Sequence, residues 1–346
     1  MKHTRLIVLV LALLTVSPGL EGWAGPPQQT HDLGLAPRTV HWGYYDGGLS
    51  PVLTIASGDI VRLETLIARG LDRLLLAGAP EDEIPDRLKV VEREVTDRGV
   101  GAHPMTGPIY VEDAEPGDVV EIRIQGFEFL HPFGVSYFPP GSGTLPDDFP
   151  YTRLRLTRFD PQTGKVDFAP GITLELAPFF GSIGVGPAPI LGRINTNPPG
   201  HHVGNLDNKD LVAGSSLFIP VHVPGALISF GDGHALQGDG EVALTALETS
   251  LRGTVQILLH KDRTLTRPRA ETPTHFITMG LHPDLDEAAR MATREMIDFL
   301  VNEKGLERGD AYILCSLAMD LAVTQLVDGT KGVHGKISKS IFDSSP

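Results

Sequence analysis

Short apolar runs, each introduced by a Gly-containing turn, recur along most of the chain. Ser57-Gly58-Asp59 precedes an apolar-alternating run at 60–66, Pro116-Gly117-Asp118 one at 119–124, and Ala213-Gly214-Ser215 one at 217–221. A turn followed by an alternating or continuous apolar run is how a strand begins. The same pattern predicts strands at 109–111, 154–159, 172–176, 226–230, 242–247 and 254–259. Order is expected to begin near Thr39, after a polar, mobile lead-in at 25–36, with an acidic Pro-containing linker at 79–86. The Pro-, Gly- and aromatic-rich stretch at 129–150 has little periodicity and reads as a long loop, the kind that often carries function.

The period changes near the C-terminus. Leu285, Ala289, Ala292, Met296, Phe299 and Leu300 form a helical stripe between Asp284 as N-cap and Gly305 as stop. A second helix is expected from Asp310 through Cys315, then a strand over 321–327. The expected fold is mixed and mainly β. A jelly-roll-like β-sandwich body over 25–260 carries a smaller C-terminal α/β unit over 261–346 packed on it.

Composition narrows the function classes. With 29 Lys+Arg against 43 Asp+Glu the net charge is −14, so the chain lacks the cations that bind phosphate backbones or anionic lipid. The single Cys excludes an internal disulfide and any Cys-based zinc module, and Cys315 sits among apolar neighbours as a small buried hydrophobe. Lys2 and Arg5, an apolar stretch at 6–16 and the small residues Gly22 and Ala24 form a signal-peptide pattern over 1–24. The mature protein is therefore expected to be periplasmic or secreted and free of the membrane. No G-x-S-x-G elbow or phosphate-binding loop occurs, and Gly184-Val185-Gly186-Pro187 is not a dinucleotide fingerprint.

Candidate chemistry concentrates between Asn195 and Glu241, where four of the 13 histidines fall. One polar cluster runs from His201-His202 through Asn205, Asp207 and Asp210. The other is Gly231-Asp232-Gly233-His234 followed by Gly238-Asp239-Gly240-Glu241. An apolar pair, 217–223 and 226–230 about Pro224-Gly225, reads as a hairpin that would bring both clusters to one sheet end. Imidazoles and carboxylates meeting there suit a divalent cation, with zinc favoured and calcium second. Gly-Asp-Gly is also common turn chemistry, so the argument rests on the two clusters together. Glu64, set among apolar residues, needs an Arg or a metal as partner, and a metal-free Glu64–Glu241 carboxylate pair is the variant of this site.

Several of these segments resemble the acetamidase/formamidase family. His103-Pro-Met-Thr-Gly-Pro-Ile-Tyr-Val, continuing to Pro116-Gly117-Asp118, is similar to one of its signatures. Gly181-Ser-Ile-Gly-Val-Gly-Pro and Gly204-Asn205-Leu206-Asp207 resemble two more, with Gly186 and Val203 as departures. Gly231-Asp232-Gly-His234-Ala-Leu-Gln-Gly238-Asp239-Gly-Glu241 is the most specific, and Ser316 through Asp328 resembles the C-terminal element. The resemblance implies hydrolysis of short linear amides to carboxylate and ammonia, a β-sandwich body with a smaller α/β part, a divalent metal in some members, and a homo-oligomer. In that reading His202, Asp207, Asp232 and His234 are metal ligands or lie close to them. Glu241, Asp239, Asn205 and Glu64 are catalytic candidates, Asn205 as an oxyanion donor, and His103 and Gly238 contact the substrate. A secreted β-sandwich that binds a ligand through Phe133, Tyr137 and Phe138 without amidase chemistry is the alternative.

Overall fold

The computed structural model describes residues 28–342, so the expected signal peptide lies outside the described residues. Two nine-stranded sheets stack face to face. The first runs in the order Thr30–Leu33, Ile60–Glu64, Leu251–His260, Val119–Phe129, Ser216–Pro220, Arg269–Glu271, His275–His282, Lys331–Ser338 and Met319–Gln325. The second runs from Val203–Asn205 through Phe179–Gly184, Ile228–His234, Glu248–Thr249 and Phe133–Phe138 to Arg153–Arg158. Pro104–Val111 joins it beside Ile228–His234, with Val40–Trp42 and Leu53–Ile55 alongside.

Leu251–His260 alternates buried and half-buried residues, as a strand with one face in the core must. Val61, Leu63, Ile122, Ile124, Val255 and Ile257 of the first sheet meet Ile109, Val111, Phe180, Ile183, Ile228 and Phe230 of the second in one core. At about 25 cal/mol per Å2 of apolar area, such a core is the main favourable term in folding. The first sheet crosses the expected 260/261 boundary without a break: His275–His282, Lys331–Ser338 and Met319–Gln325 extend it. Helix Leu285–Lys304 lies on that extension. Asp284 caps it by accepting from the Glu287 N–H at 3.0 Å, and Gly305 ends it in the left-handed conformation. Gly280 lets the helix approach closely, since a Cβ there would strike the Ala288 carbonyl.

Several expectations are corrected. Thr30–Leu33 is already a strand, paired in parallel with Ile60–Glu64, so order begins before Thr39. The 79–86 linker lies between helix Asp72–Leu76 and helix Asp86–Glu94, and Leu74, Ile84, Leu88 and Val91 bury their apolar face. Helix Arg308–Ala318 is capped by Glu307, not Asp310. The expected 129–150 loop contains the strand Phe133–Phe138, and Phe133 and Tyr137 are buried rather than displayed. Residues 242–247 form no strand; Glu248–Thr249 pairs instead. The expected hairpin does not form either. Ser216–Pro220 belongs to the first sheet and Ile228–His234 to the second, so the chain crosses the sandwich at Pro224-Gly225.

Candidate active site

Although the hairpin is absent, its two polar clusters do meet. Phe179–Gly184 pairs with Val203–Asn205 on one side and Ile228–His234 on the other, so that strand joins them. Asp232 and His234, two residues apart, share a face of their strand. Glu248 is the cross-strand neighbour of His234. Asp207 is held beside them by its N–H donating to the Gly181 carbonyl at 3.1 Å. Asp328 arrives from the far end of the chain. A bridge between Gly240 and Gln325 docks that segment, and the buried Gln325 carbonyl oxygen Oε1 accepts from the Asp328 N–H. Glu241 follows the same bridge.

Three sets of donor atoms lie within 4.8 Å of one another: Asp207, Asp232 and His234; His234, Glu241 and Glu248; and Asp207, Glu241 and Asp328. His234 Nε2 is 3.2 Å from Asp232 Oδ2 and 3.3 Å from Glu248 Oε2. Its Nδ1–H donates to Gln237 Oε1 at 3.0 Å, while Gln237 Nε2 donates to the Asp207 carbonyl at 2.7 Å. That relay orients the ring and leaves Nε2 facing the carboxylates. Gly181 forms the floor, because a Cβ there would collide with Asp232 Oδ2, Asp207 Oδ1 and His234 Cε1. Asp207, Asp232 and Glu241 have φ of 49°, 58° and 46°, in the left-handed region that costs an L-residue about 1–3 kcal/mol. Strain at three of the five carboxylates concentrates where chemistry is expected.

Charge is the defining property of this cluster. Burial pushes the Asp207 carboxyl well above the usual carboxylate range, and Glu241 adds to it. Burial and Asp328 do the same to Glu241. Asp328 is raised to about 6, chiefly by burial. Burial also raises Glu248, against the pull of His234. Asp232 moves the other way: burial would raise it, but His234 and His103 outweigh that and hold it below the usual range. His234 is pushed well up, because Glu248 and Asp232 overcome its burial.

The cluster forms one wall of a cleft of about 360 Å3 whose other walls include Arg69, Arg73, Ala102, Tyr137, Asn197, Leu244 and Thr330. His103 lines it too, its Nε2 3.7 Å from Asp232 Oδ2 and its Nδ1 buried without a partner. Asn205 differs from its expected role as oxyanion donor. Its Nδ2 donates to Asp207 Oδ2 at 2.8 Å and to Asp328 Oδ2 at 3.2 Å, so both hydrogens already hold carboxylates in place.

Four other expected residues stand apart. Glu64 accepts from Arg87 Nε at 2.7 Å, Arg87 Nη2 at 2.9 Å and Arg252 Nη2 at 2.7 Å, so it belongs to an ion-pair network and forms no pair with Glu241. His202 is buried against the edge of Tyr45 outside the donor sets, because the tight turn from Gly200 to Val203 swings its ring back. Burial, with His201 adding to it, lowers its pKa to about 3, so it stays neutral. Asp239 pairs with Lys209 at 3.2 Å on the surface, and with Gly238 it lines an adjoining cavity of about 220 Å3 that Glu241 and Thr245 share with the main cleft. Sequence reasoning missed Glu248 and did not assign a role to Asp328. The first hides beside an apolar run, and the second is about 90 residues from the cluster in sequence, roughly a domain's length away.

The Acetamidase/Formamidase family profile matches residues 49–196 and 191–344. The formamidase of Methylophilus methylotrophus is 27% identical over 256 residues, 54% of this chain and 61% of that protein. The chain spans between about half and three-fifths of the length of the curated relatives it matches. The solved acetamidase of Bacillus halodurans is 32% identical, with a TM-score of 0.76 over 90% of this chain and 98% of that one. The solved acetamidase of Yersinia enterocolitica is 30% identical, with a TM-score of 0.78 over 92% and 94%. The fold, the ordered motifs and these matches agree: the chain belongs to the acetamidase/formamidase family.

Proposed function

We propose that this protein hydrolyses short linear amides of the formamide and acetamide kind to carboxylate and ammonia, with a divalent cation held by the buried carboxylate cluster. The observation that carries the reading is a shortage of positive charge. Five carboxylates line one cleft, no Lys or Arg is ion-paired to any of the five, and Asp207 Oδ1, Glu248 Oε2 and His234 Nε2 are buried without hydrogen-bond partners among the described residues. Charges buried in this way are stable only when protonated or matched by a cation.

The donors fit such an ion. Asp207, Asp232 and His234 would hold it, with Glu241, Glu248 and Asp328 close enough to share. Imidazole beside carboxylate favours zinc, and the surplus of oxygens keeps calcium as the second candidate. A divalent ion there supplies Lewis-acid polarisation of a carbonyl and a lowered pKa for bound water.

The chain's own groups then handle protons and orientation. Glu241, raised well above the usual range, suits taking a proton from the attacking water and passing it to the leaving nitrogen. The water oxygen bonds to the carbonyl carbon, the C–N bond breaks, and the nitrogen leaves as ammonia. Asn205 keeps Asp207 and Asp328 in place, and the Gln237 relay keeps His234 turned inward.

Two further parts of the reading are proposals on separate grounds. Tyr312, Ile313, Leu317 and Leu321 are exposed on helix Arg308–Ala318 and the edge strand beside it, which supports assembly with a second copy. The 1–24 pattern supports export. The test of the central reading is ammonia release from formamide and acetamide by cation-loaded protein. Turnover that His234→Ala reduces at least about 100-fold is expected; none from folded wild type, or equal turnover by the variant, would sink it.

A further inference from the structure

Most arginines near a carboxylate here pair with it, as Arg87 and Arg252 do with Glu64, Arg193 with Asp97 and Arg158 with Glu83. Arg69 and Arg73 form no ion pair among the described residues, although both line the cleft that holds the carboxylate cluster. Arg73 stands on helix Asp72–Leu76, its guanidinium carbon 3.5 Å over the Tyr137 ring. That stacking fixes the guanidinium plane and leaves its edge donors free. One of them, Nη1, is buried without a hydrogen-bond partner. Arg69 keeps a left-handed backbone, φ 59°, and its N–H donates to the Ala102 carbonyl at 2.8 Å.

Two neighbouring guanidiniums repel, and a buried donor without a partner costs about 1–3 kcal/mol. A neutral one- or two-carbon amide compensates neither. A cleft of about 360 Å3 also has room beyond such a molecule. The cleft therefore carries two kinds of group: carboxylates suited to a cation and an amide carbonyl, and the Arg73–Arg69 pair, within electrostatic reach of Glu248, suited to an anion.

We propose that the preferred substrate is a short amide whose far end carries a carboxylate, received by Arg73 with Arg69 beside it. This rests on the hydrolase reading and specifies its substrate class. Hydrolysis forms the new C–O bond, breaks the C–N bond and releases ammonia and a short dicarboxylate. A planar carboxylate matches the fixed fork of Arg73 in a bidentate pair.

The test compares kcat/KM for malonamate and succinamate with neutral amides of equal chain length. Wild type is expected to favour at least one carboxylated amide by about tenfold or more, mainly through KM. Arg73→Gln should cut that preference at least about tenfold, Arg73→Lys should restore part of it, and Arg69→Gln should cut it less. Thermal melts check that the variants fold; if the Arg73 variants do not, the wild-type preference and Arg69→Gln decide. Equal or greater efficiency on the neutral amides, or a preference unmoved by Arg73→Gln, would overturn the proposal. If no amide is turned over, the hydrolase reading fails, and calorimetric titration with succinamate decides this one. Binding at least about tenfold weaker in Arg73→Gln supports it; equal binding, or none to wild type, overturns it.

Discussion

Glu64 and Glu241 are the same residue type, both buried, and both are candidates for chemistry in the sequence. Their surroundings give them opposite properties. Around Glu64, burial raises the carboxyl pKa, but the hydrogen bonds and charges of Arg87 and Arg252 outweigh it and the net shift is downward. Around Glu241, burial also raises it, and Asp328, Glu248 and Asp232 push further in the same direction. Glu64 carries its own counterions; the cluster containing Glu241 does not. A buried carboxylate thus becomes a candidate for catalysis not by being buried but by having its compensation left to something outside the chain.

The largest expected effect separates the two sites by activity. Glu241→Gln should lower amide turnover about 1000-fold with the melting temperature held or raised, since it removes proton transfer and one repelling charge. Glu64→Gln should do the converse. Activity should stay within a few-fold while stability falls by about 2 kcal/mol in denaturant unfolding, a value discounted because the Arg87 and Arg252 side chains are 42% and 39% exposed. Loss of activity in Glu64→Gln at temperatures where it is folded would erase the distinction.

The next effect is on pH dependence. Glu64, with a depressed folded-state pKa, stabilises the fold above the unfolded carboxylate value of about 4.3, and that contribution is lost as pH falls through the folded value. Asp207, Glu241 and Asp328 are raised, so they favour the folded state below that value, and their contribution is lost as pH rises through their folded pKa, about 6 for Asp328. Chelator-treated protein should therefore melt several degrees lower at about pH 7.5 than at about pH 5. Loading with a divalent cation should abolish or reverse that fall. A chelated protein whose melting temperature rises across that range would contradict the charge-deficit account. The smallest effect is at Asp239, whose exposed pair with Lys209 is worth little. Asp239→Asn should change stability by less than about 0.5 kcal/mol and activity by less than a few-fold.

Most of the expected strands, the capped helix Leu285–Lys304 and the two polar clusters were legible in the sequence because each has a local signature, whereas 242–247 forms no strand and Phe133–Phe138 lies where the pattern reads as loop. The partner of each strand was not. A Pro-Gly turn reads the same whether it closes a hairpin or carries the chain between sheets, and Pro224-Gly225 does the latter. Within the site, Asp207, Asp232, His234 and Glu241 stood in motif-rich segments and do converge. Glu248 and Asp328 join them only through pairing with His234 and the Gly240–Gln325 bridge, contacts that no spacing records. His202 and Asp239 shared the motif's composition but face elsewhere, because a tight turn redirects one and Lys209 draws the other to the surface. Glu64 is a catalytic candidate in the sequence; it is buried, but its partners are two arginines, so it belongs to an ion-pair network instead.

The central claim is that the Asp207–Asp232–His234 cluster takes a divalent cation to support amide hydrolysis. Elemental analysis of dialysed, zinc-loaded protein tests it most directly, with ammonia release from acetamide measured on the same samples. The account predicts about one equivalent of metal per chain in wild type, and loss of both metal and turnover in Asp207→Asn/Asp232→Asn. Wild-type protein that turns over acetamide fully with no bound metal, or a double variant that keeps its equivalent, would contradict it.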